Sequence, residues 1–371
     1  MRLTLARLAA ALALFGCGTP RRPVDHPRPE RRAYFDVQRR GANFFNRVET
    51  RARFRAAAAR GIRLVRLVPD KWKGAGRDFL LGSADNFVAL VPEDLARLRA
   101  VLDTAHAEGV RVVLGLLGLP GARWRQLNGD RSDFRLYREV RYQDQAVELW
   151  RQLARALAGH PAVVAYNPIN EPHPERATDT AGFDLSAFYR RVVAAIRESD
   201  RDVAVVLDGG DFASPAGLAR LTPIEGDPRV LYAFHFYIPW AYVNHASRGR
   251  YRYPGEIPVD DDSPETRRWD AGALSRALRP VVAWQRRHDI PSSRVFAAEF
   301  GCPRTHPGVE RWIGDLIRIF NARGWHWAFY SFREDTWHAM DYELGPRAEN
   351  RARGDNVIWR VIQAAFRPGA P

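Results

Sequence analysis

Short apolar runs alternate with longer amphipathic stretches along the chain from residue 34 onward. Eight of the runs have the length and the β-branched and aromatic content of strands. They lie at residues 34–43, 62–68, 110–117, 163–170, 203–207, 230–237, 295–300 and 325–332. The clearest helical stretches between them lie at residues 92–108, 143–158, 185–198, 273–287 and 309–323. Gly109 and Gly324 stand where a helix would end before the next strand. Strands that alternate with helices predict a parallel sheet.

Eight strands are the number that closes a parallel sheet into a (β/α)8, or TIM, barrel. Residues 34–371 are long enough for one such domain with inserted loops, and the longest predicted insertion is residues 238–270, after the sixth strand. An open doubly wound sheet is the alternative, but it calls for a glycine-rich phosphate turn after the first strand. Residues 40–47, RGANFFNR, lack that pattern. We therefore predict an α/β fold with a single (β/α)8 barrel domain.

The first 17 residues have the pattern of an export signal, with Arg2 and Arg7 ahead of an apolar stretch at residues 8–15. Leu14-Phe15-Gly16-Cys17 resembles a bacterial lipobox, which predicts that Cys17 becomes the lipidated N-terminus of a membrane-anchored lipoprotein in a bacterial cell envelope. An ordinary secretory signal, giving a secreted protein, is the alternative. Residues 18–33 are rich in Pro and Arg, which predicts a solvated tether between the anchor and the barrel.

The charge, the cysteine count and the absence of metal-binding motifs in the sequence limit the kinds of ligand that we expect. The net charge is +14, but the Arg residues are scattered along the chain and no nucleic-acid-binding motif accompanies them, so we expect no nucleic-acid partner. The two cysteines, Cys17 and Cys302, cannot form a disulfide framework or a metal cluster. No HExxH motif is present, and the acidic run at residues 260–262 is typical of a solvated loop rather than of a calcium site. We expect no metal and no cofactor, and a monomer.

Polar and aromatic residues interrupt the apolar runs at or near the ends of the predicted strands, where the chemistry of such barrels lies. These candidate site residues are Asn43, Arg66, Asn170, Glu171, His235, Tyr237, Glu299, Trp327 and Tyr330. Each has a structural interpretation when taken alone: Arg66 could pair with a core carboxylate, and His235 could be a core histidine. A core does not need so many polar groups at one mouth, because buried charges are costly unless they are paired.

The motifs that carry these residues resemble those of glycoside hydrolase family 5, a cellulase-like family of clan A. The resemblance covers residues 34–366 and rests on Gly-Ala-Asn at 41–43, Arg66, Ile-Asn-Glu-Pro at 169–172, His-Phe-Tyr at 235–237 and Ala-Ala-Glu-Phe-Gly at 297–301. It implies that Glu171 is the general acid/base and Glu299 the nucleophile. It also implies that Asn43, Arg66, Asn170, His235 and Tyr237 support this pair.

Two positions depart from the family pattern. Leu117 stands where the third strand usually ends in a His, and Tyr330 aligns with a late Trp that often forms the floor of the first sugar subsite, a role that Trp327 could take instead. Further aromatic residues could stack on additional sugar units or belong to the core. They are Trp124, Trp240, Tyr242 and Trp337.

Hydrolysis with retention needs two carboxyl groups roughly 5 Å apart, one protonated and one ionised. We expect Arg66 to hold the pKa of Glu299 down and Tyr237 to orient one of its oxygens, while the charge of Glu299 keeps Glu171 protonated. Asn170 would bind the sugar 2-hydroxyl, and His235 would orient Tyr237 or Glu171.

The predicted substrate is a polysaccharide or oligosaccharide of the β-glucan or β-mannan type. Three other functions are compared with this prediction. A non-catalytic carbohydrate-binding lipoprotein would be expected to lack one of the two glutamates, and both are present. A solute-binding protein would need two lobes rather than eight evenly spaced strands. A transglycosylase on the same barrel would share every motif, so the sequence leaves it open.

Overall fold

The computed structural model describes residues 29–367 apart from residues 46, 73–75, 179, 181, 260–262 and 335–339. Within this part of the chain the strands are β1 Arg40–Phe44, β2 Leu64–Leu67, β3 Arg111–Gly115, β4 Val163–Asn167, β5 Ala204–Asp208, β6 Val230–Phe236, β7 Gly255–Pro258, β8 Thr266–Trp269, β9 Val295–Phe300 and β10 His326–Phe329. The helices of four or more residues are α1 Pro29–Arg32, α2 Arg51–Ala59, α3 Pro92–Ala107, α4 Arg135–Arg138, α5 Val140–Leu157, α6 Leu185–Arg197, α7 Gly210–Ala213, α8 Pro215–Leu218, α9 Trp240–Val243, α10 Ala271–Ala277, α11 Arg279–Arg287, α12 Val309–Ala322 and α13 Val357–Ala364.

Eight of the strands form a closed parallel barrel. Going round it, the order is β1, β2, β3, β4, β5, β6, β9 and β10, and β10 pairs with β1 to close the sheet. The predicted (β/α)8 fold is therefore confirmed, and each of the eight predicted runs overlaps one barrel strand. The first run begins too early in the prediction, since Tyr34–Asp36 form a 3-10 turn and pairing starts at Arg40.

The helix predicted at residues 273–287 is two helices, α10 and α11, which meet at Leu278. Pro280 lies in the first turn of α11, where the missing backbone N–H of proline costs no hydrogen bond. The same proline in the middle of one long helix would break it, so the chain bends here instead.

Two hydrophobic clusters lie on the two faces of the barrel. The larger one joins strands and outer helices, and the smaller one combines one or two residues from most of the barrel strands with Phe35. The smaller cluster includes Leu64, Val113, Val164, Val206, Leu231, Phe296 and Ala328. This arrangement follows from the period of two in a strand, which sends successive side chains to opposite faces of the sheet. Because apolar side chains fill the barrel interior, the polar residues of a site are expected at the ends of the strands.

The amino-terminal segment docks on the barrel before the first strand. Arg31 is buried, and its guanidinium makes two 2.8 Å contacts with the carboxylate of Asp200 and a 2.7 Å hydrogen bond to the carbonyl oxygen of Val163. Val163 is the first residue of β4, so this contact lies at the end of the barrel opposite the carboxyl ends of the strands. The predicted tether at residues 18–33 is therefore too long: helix α1 already belongs to the folded domain, because Arg31 is paired and buried.

The predicted insertion after the sixth strand contains an ordered unit of its own. Strands β7 and β8 form an antiparallel pair, and α9 and a 3-10 turn at His245–Ser247 precede it. The acidic run at residues 260–262 falls within this insertion but outside the described residues. Among the described helices, none combines the length and the apolar character needed to cross a bilayer.

Candidate active site

Arg66 organises the polar groups at the carboxyl ends of the strands. It lies on β2 and is fully buried. Its Nη1 donates to Oε2 of Glu299 at 3.0 Å and to Oδ1 of Asn43 at 3.2 Å. Its Nη2 donates to Oδ1 of Asn170 and to Oδ1 of Asn167, each at 2.6 Å. Because a guanidinium holds its donors in a rigid plane, this network fixes several side chains at once.

Glu299 lies on β9 with both carboxylate oxygens engaged. The Tyr237 hydroxyl donates to Oε1 at 2.6 Å, and Arg66 donates to Oε2. Burial raises the pKa of Glu299, and the nearby Glu171 raises it further, whereas His235, Arg66 and the Tyr237 hydrogen bond lower it. Arg66 lowers this pKa, as expected, but desolvation outweighs the guanidinium, and the net direction is upward.

Glu171 faces Glu299 across the barrel mouth. One carboxylate oxygen of each glutamate and one ring nitrogen of His235 all lie within 4.8 Å of one another. Glu171 follows β4 in a left-handed backbone conformation, with φ at 49°, and its N–H donates to Oδ2 of Asp208 at 3.1 Å. A residue other than glycine adopts this conformation only when its surroundings hold it, and such residues cluster at functional sites.

His235 joins the two glutamates to the barrel interior. Its Nδ1 lies 2.7 Å from Oε1 of Glu171 and 4.0 Å from Oε2 of Glu299, and its Nε2 lies 3.4 Å from Oδ2 of Asp208. Burial by itself would lower the pKa of His235, but the negative charges of Glu299, Asp208 and Glu171 outweigh it and raise that pKa. Of the two predicted roles for His235, the hydrogen bond is to Glu171 and not to Tyr237.

The three side chains Glu171, His235 and Glu299 are the one group of three with metal-ligand spacing in the described part of the chain. The Arg66 guanidinium at 3.0 Å from Glu299 would repel a cation at this position. The Tyr237 hydroxyl occupies the other oxygen of Glu299. The arrangement therefore suits proton transfer and nucleophilic attack better than metal binding.

Asn43 and Asn170 hold different parts of the site. The Nδ2 of Asn43 donates to the carbonyl oxygens of Ala298 and Ala328 at 3.0 and 3.1 Å, so this residue ties β1 to the strand that carries Glu299. The Oδ1 of Asn170 accepts from Arg66, and Asn170 lines the cavity. Its amide orientation is thereby fixed, since the acceptor atom is already used.

The sequence prediction missed two residues of this network. Asn167 accepts from Nε and Nη2 of Arg66 and donates to Oδ1 of Asp208 at 3.0 Å. Asp208 is fully buried and also meets His235 and Nη2 of Arg66, the latter at 3.6 Å. Asp208 comes directly after the apolar run at 203–207, so a polar residue at that strand end was the signal that could have revealed it.

A cavity of about 710 Å³ lies above these groups. Tyr330 and Leu117, the two departures from the family pattern, both line it, as do the predicted platform residues Trp124 and Trp240. Tyr330 contacts Phe45 edge to face, with ring centroids 5.5 Å apart, and precedes a cis peptide bond to Ser331. These aromatic residues can therefore meet a ligand held over the glutamates.

The structure corrects the prediction for Trp327 and shows that Tyr242 belongs to the core, which was one of its two interpretations. Trp327 is fully buried away from the cavity: it packs on Phe366 and donates from Nε1 to Asn321 at 2.9 Å, so it belongs to the outer core. Tyr242 is also fully buried, and its hydroxyl binds the carbonyl oxygen of Pro307. Trp337, like Cys17, lies outside the described residues.

A closed (β/α)8 barrel with two facing carboxyl groups, one bound by an arginine and a tyrosine and the other by a histidine, defines the class of two-carboxylate glycoside hydrolases. The family model described as cellulase, glycosyl hydrolase family 5, matches residues 32–336. The chain therefore belongs to glycosyl hydrolase family 5, a class of O-glycoside hydrolases.

Relatives with sequence similarity carry two kinds of name. Endoglucanase C of Acetivibrio thermocellus is 25% identical over 288 residues, which cover 71% of this chain and 79% of the relative. A β-xylosidase of Phanerodontia chrysosporium is 35% identical over 127 residues, which cover 34% of this chain and only 26% of the relative.

Solved structures share the fold at low sequence identity. A hyperthermophilic endo-β-1,4-glucanase in complex with substrate gives a TM-score of 0.65 at 16% identity and covers 90% of this chain and 99% of that chain. The Pseudomonas stutzeri endoglucanase Cel5A in complex with cellobiose gives 0.62 at 20% identity, with coverages of 88% and 92%. Thermotoga maritima Cel5A with mannotriose gives 0.64 at 14% identity, with coverages of 90% and 99%.

Proposed function

We propose that this chain is a retaining β-glycosidase that acts on β-linked glucan or mannan-type saccharides, with Glu299 as nucleophile and Glu171 as general acid/base. The observation that carries the proposal is the distance between the two carboxyl groups. One oxygen of Glu171 lies within 4.8 Å of one oxygen of Glu299. Retaining enzymes hold these groups about 5–5.5 Å apart, whereas inverting enzymes leave about 6.5–9.5 Å for a water molecule. The short separation favours attack by the enzyme itself.

In the first step, a carboxylate oxygen of Glu299 forms a bond to the anomeric carbon while the bond to the leaving group breaks. Glu171 gives its proton to the departing oxygen. Its Oε1 is held by His235, so the carboxyl group is fixed while its other oxygen meets the substrate. Asn170 has its Oδ1 bound to Arg66, which leaves its N–H groups to donate to the sugar 2-hydroxyl.

In the second step, Glu171 is ionised and takes a proton from a water molecule that attacks the anomeric carbon. The ester bond to Glu299 breaks, and this carboxylate regains its negative charge beside Arg66 and Tyr237. Because both donors are in place before the reaction, they stabilise the returning charge without rearrangement. Two inversions at the anomeric carbon give net retention.

The names of the relatives support a β-linked substrate. The endoglucanases, the β-xylosidase and the structures with cellobiose and mannotriose are proteins of the same fold or family. Leu117 and Tyr330, the two departures from the family pattern, both line the cavity in which the substrate would bind.

Azide rescue tests the roles of the two glutamates. In Glu171→Ala, an activated aryl glycoside should still form the ester with Glu299 and then stall, because no base remains to activate water. Added azide should release a β-glycosyl azide. In Glu299→Ala, azide should attack the substrate directly and give the α-glycosyl azide. The anomeric form of each product is read by NMR.

Glu225→Ala, in an exposed loop on the far side of the barrel from the mouth, is the control and should behave as the parent. Azides of the same anomeric form from both variants would contradict the division of roles. Full activity in either variant would remove the pair from the chemistry.

We also propose that the protein is exported and anchored to a membrane through a lipid on Cys17. The support is the signal-like pattern of residues 1–16 and the lipobox-like Leu14-Phe15-Gly16-Cys17. A single acyl chain binds membranes weakly, whereas several chains on one cysteine would anchor firmly. Membrane partitioning of a Cys17→Ser variant measures this anchor.

A further inference from the structure

The cavity wall beside Glu171 is built from the loops that follow β5 and β6. Phe212 lies on the first loop and Trp240 on the second. The Phe212 ring stacks on His173 with centroids 4.3 Å apart and planes 13° apart, and Nδ1 of His173 lies 2.7 Å from the carbonyl oxygen of Glu171. Since the general acid protonates the departing oxygen, the groups next to it meet the leaving group.

Among the described residues, the exposed large aromatic side chains lie on this wall. Phe212 is 36% exposed and Trp240 is 56% exposed, and both line the cavity. The other large hydrophobic side chains that reach this exposure are all valines, and they lie outside the cavity: Val37, Val88, Val140 and Val357. An exposed apolar patch placed at a catalytic mouth indicates a binding surface.

The position of Phe212 is fixed by its loop. Asp211 and Phe212 have left-handed backbone conformations, with φ at 50° and 55°. The N–H of Asp211 donates to Oε2 of Glu175 at 3.1 Å, and the N–H of Phe212 donates to the carbonyl oxygen of Pro172 at 3.2 Å. A Cβ on Gly217 would lie 1.7 Å from a backbone oxygen, so only glycine allows the loop to close this tightly. The ring is therefore preorganised for a ligand.

Two polar side chains on the same wall, Ser214 and Asn244, form hydrogen bonds within their own loops. The Ser214 hydroxyl donates to Asp211 and accepts from the N–H of Gly217. The amide of Asn244 binds backbone groups of its own loop through both its oxygen and its nitrogen. These loops also bring Pro215, Ile238, Val243 and the exposed His245 to the cavity, so three of these four side chains are apolar. Sugar hydroxyl groups buried here would lose water without gaining these partners.

We infer that the leaving-group half of the cavity binds an apolar aglycone, an alkyl or aryl group, in preference to a further sugar unit. This inference rests on the proposed function, because it places Glu171 beside the departing oxygen. Phe212 and Trp240 would contact the aglycone from the two loops that carry them.

The experiment compares leaving groups on one glycone, chosen as the sugar that the parent releases fastest from p-nitrophenyl β-glycosides. We expect kcat/KM for the octyl β-glycoside to exceed that for the corresponding β-1,4-disaccharide by about 10-fold. An alkoxide is no better a leaving group than a sugar alkoxide, so the preference would arise from binding. The methyl β-glycoside gives the rate without an aglycone contact.

Trp240→Ala should lower kcat/KM for the octyl glycoside by about 10-fold and leave that for the methyl glycoside within about twofold. Trp240→Leu should restore most of the octyl rate, because it keeps apolar area, whereas a sugar platform needs an aromatic face. Val140→Ala, exposed outside the cavity, is the matched control.

A faster rate on the disaccharide than on the octyl glycoside would overturn the inference alone. The inference would also be overturned if Trp240→Leu lowered kcat/KM for the octyl glycoside as much as Trp240→Ala does. Absence of hydrolysis of every glycoside by the parent would overturn the proposed function and this inference together.

Discussion

At the scale of single residues, the two oxygens of Glu299 have one donor each. The Tyr237 hydroxyl lies 2.6 Å from Oε1, and Nη1 of Arg66 lies 3.0 Å from Oε2. Desolvation raises the pKa of this carboxyl group, while both donors act in the opposite direction. The nucleophile must be ionised to attack, so its pKa sets the acidic limb of activity.

We predict that Tyr237→Phe moves the acidic limb of the kcat/KM profile to higher pH. The hydrogen bond favours the ionised form, so its loss leaves burial less opposed and raises the pKa of Glu299 further. The hydrogen bond to a charged group is worth about 1.5–3 kcal/mol, so kcat should also fall by about 10- to 100-fold. A pH series of initial rates measures both effects.

Tyr232→Phe is the control, because its hydroxyl accepts from the backbone of Ile224 away from the cavity. It should leave the acidic limb where the parent has it. A Tyr237→Phe profile that coincides with that of the parent would assign the hydrogen bond to structure alone.

At the scale of elements, a left-handed residue follows the end of a helix both where glycine stands there and where another residue does. Gly109 and Gly324 follow α3 and α12 with φ at 69° and 67°, as expected for glycine just past a helix end. Helix α11 ends with the same geometry at Asp289, where φ is 50°. The N–H groups of Asp289 and Ile290 donate to the carbonyl oxygens of Arg286 and Gln285, which is the Schellman pattern.

Asp289→Gly should therefore raise the free energy of unfolding by about 0.5–1 kcal/mol, because glycine adopts the left-handed conformation without the clash of a Cβ. Asp289 is exposed, so no packing is lost. Thermal or denaturant unfolding measures the gain. Ala283→Gly, at an exposed position inside the helix, should instead lose about 1 kcal/mol. A loss of stability in Asp289→Gly would show that its side chain contributes more than its conformation costs.

The turn at Asp211, Phe212 and Ala213 is one that local sequence patterns do not predict. Three successive residues other than glycine have positive φ, at a cost of roughly 1–2 kcal/mol each. No local signal in Asp-Phe-Ala predicts this conformation. Contacts from Glu175 and Pro172, which follow another strand, hold the turn, so only the assembled barrel can specify it.

At the scale of the whole molecule, the chain enters the fold at the end opposite the active site. Arg31 is clamped by Asp200 and the first residue of β4, whereas Glu171 and Glu299 lie at the carboxyl ends of the strands. Eleven residues separate Cys17 from Pro29. Fully extended, that stretch spans at most about 40 Å. A lipid on Cys17 would therefore lie within about 40 Å of the barrel end that is opposite the cavity mouth.

If Cys17 carries the lipid, the parent should partition into detergent or membranes on expression in a bacterial host. Cys17→Ser should give uncleaved or soluble protein, because the acceptor thiol is lost. Cys302→Ser is the control, since Cys302 is buried in the barrel domain and should not change partitioning. Equal partitioning of the parent and Cys17→Ser would contradict the anchor.

The sequence by itself determined the barrel and the pair of glutamates. Alternating strand and helix patterns are local, and in a parallel barrel every strand presents its carboxyl end to the same face. Polar residues at the ends of separate runs must therefore converge, whatever the details of packing. That is why Arg66, Asn170, Glu171, His235, Tyr237 and Glu299 could be assigned to one site before their distances were known.

The tertiary structure decided which face each side chain takes and how the charges balance. Ala328 on β10 belongs to the smaller hydrophobic cluster, whereas Trp327 and Phe329 on either side of it belong to the larger one. Because side chains alternate along a strand, the direction of Trp327 follows once the barrel shows which face Ala328 takes. Trp327 therefore lies in the outer core, while Tyr330 reaches the cavity. The raised pKa of Glu299 also follows from burial, because desolvation depends on the atoms that the whole fold packs around a charge.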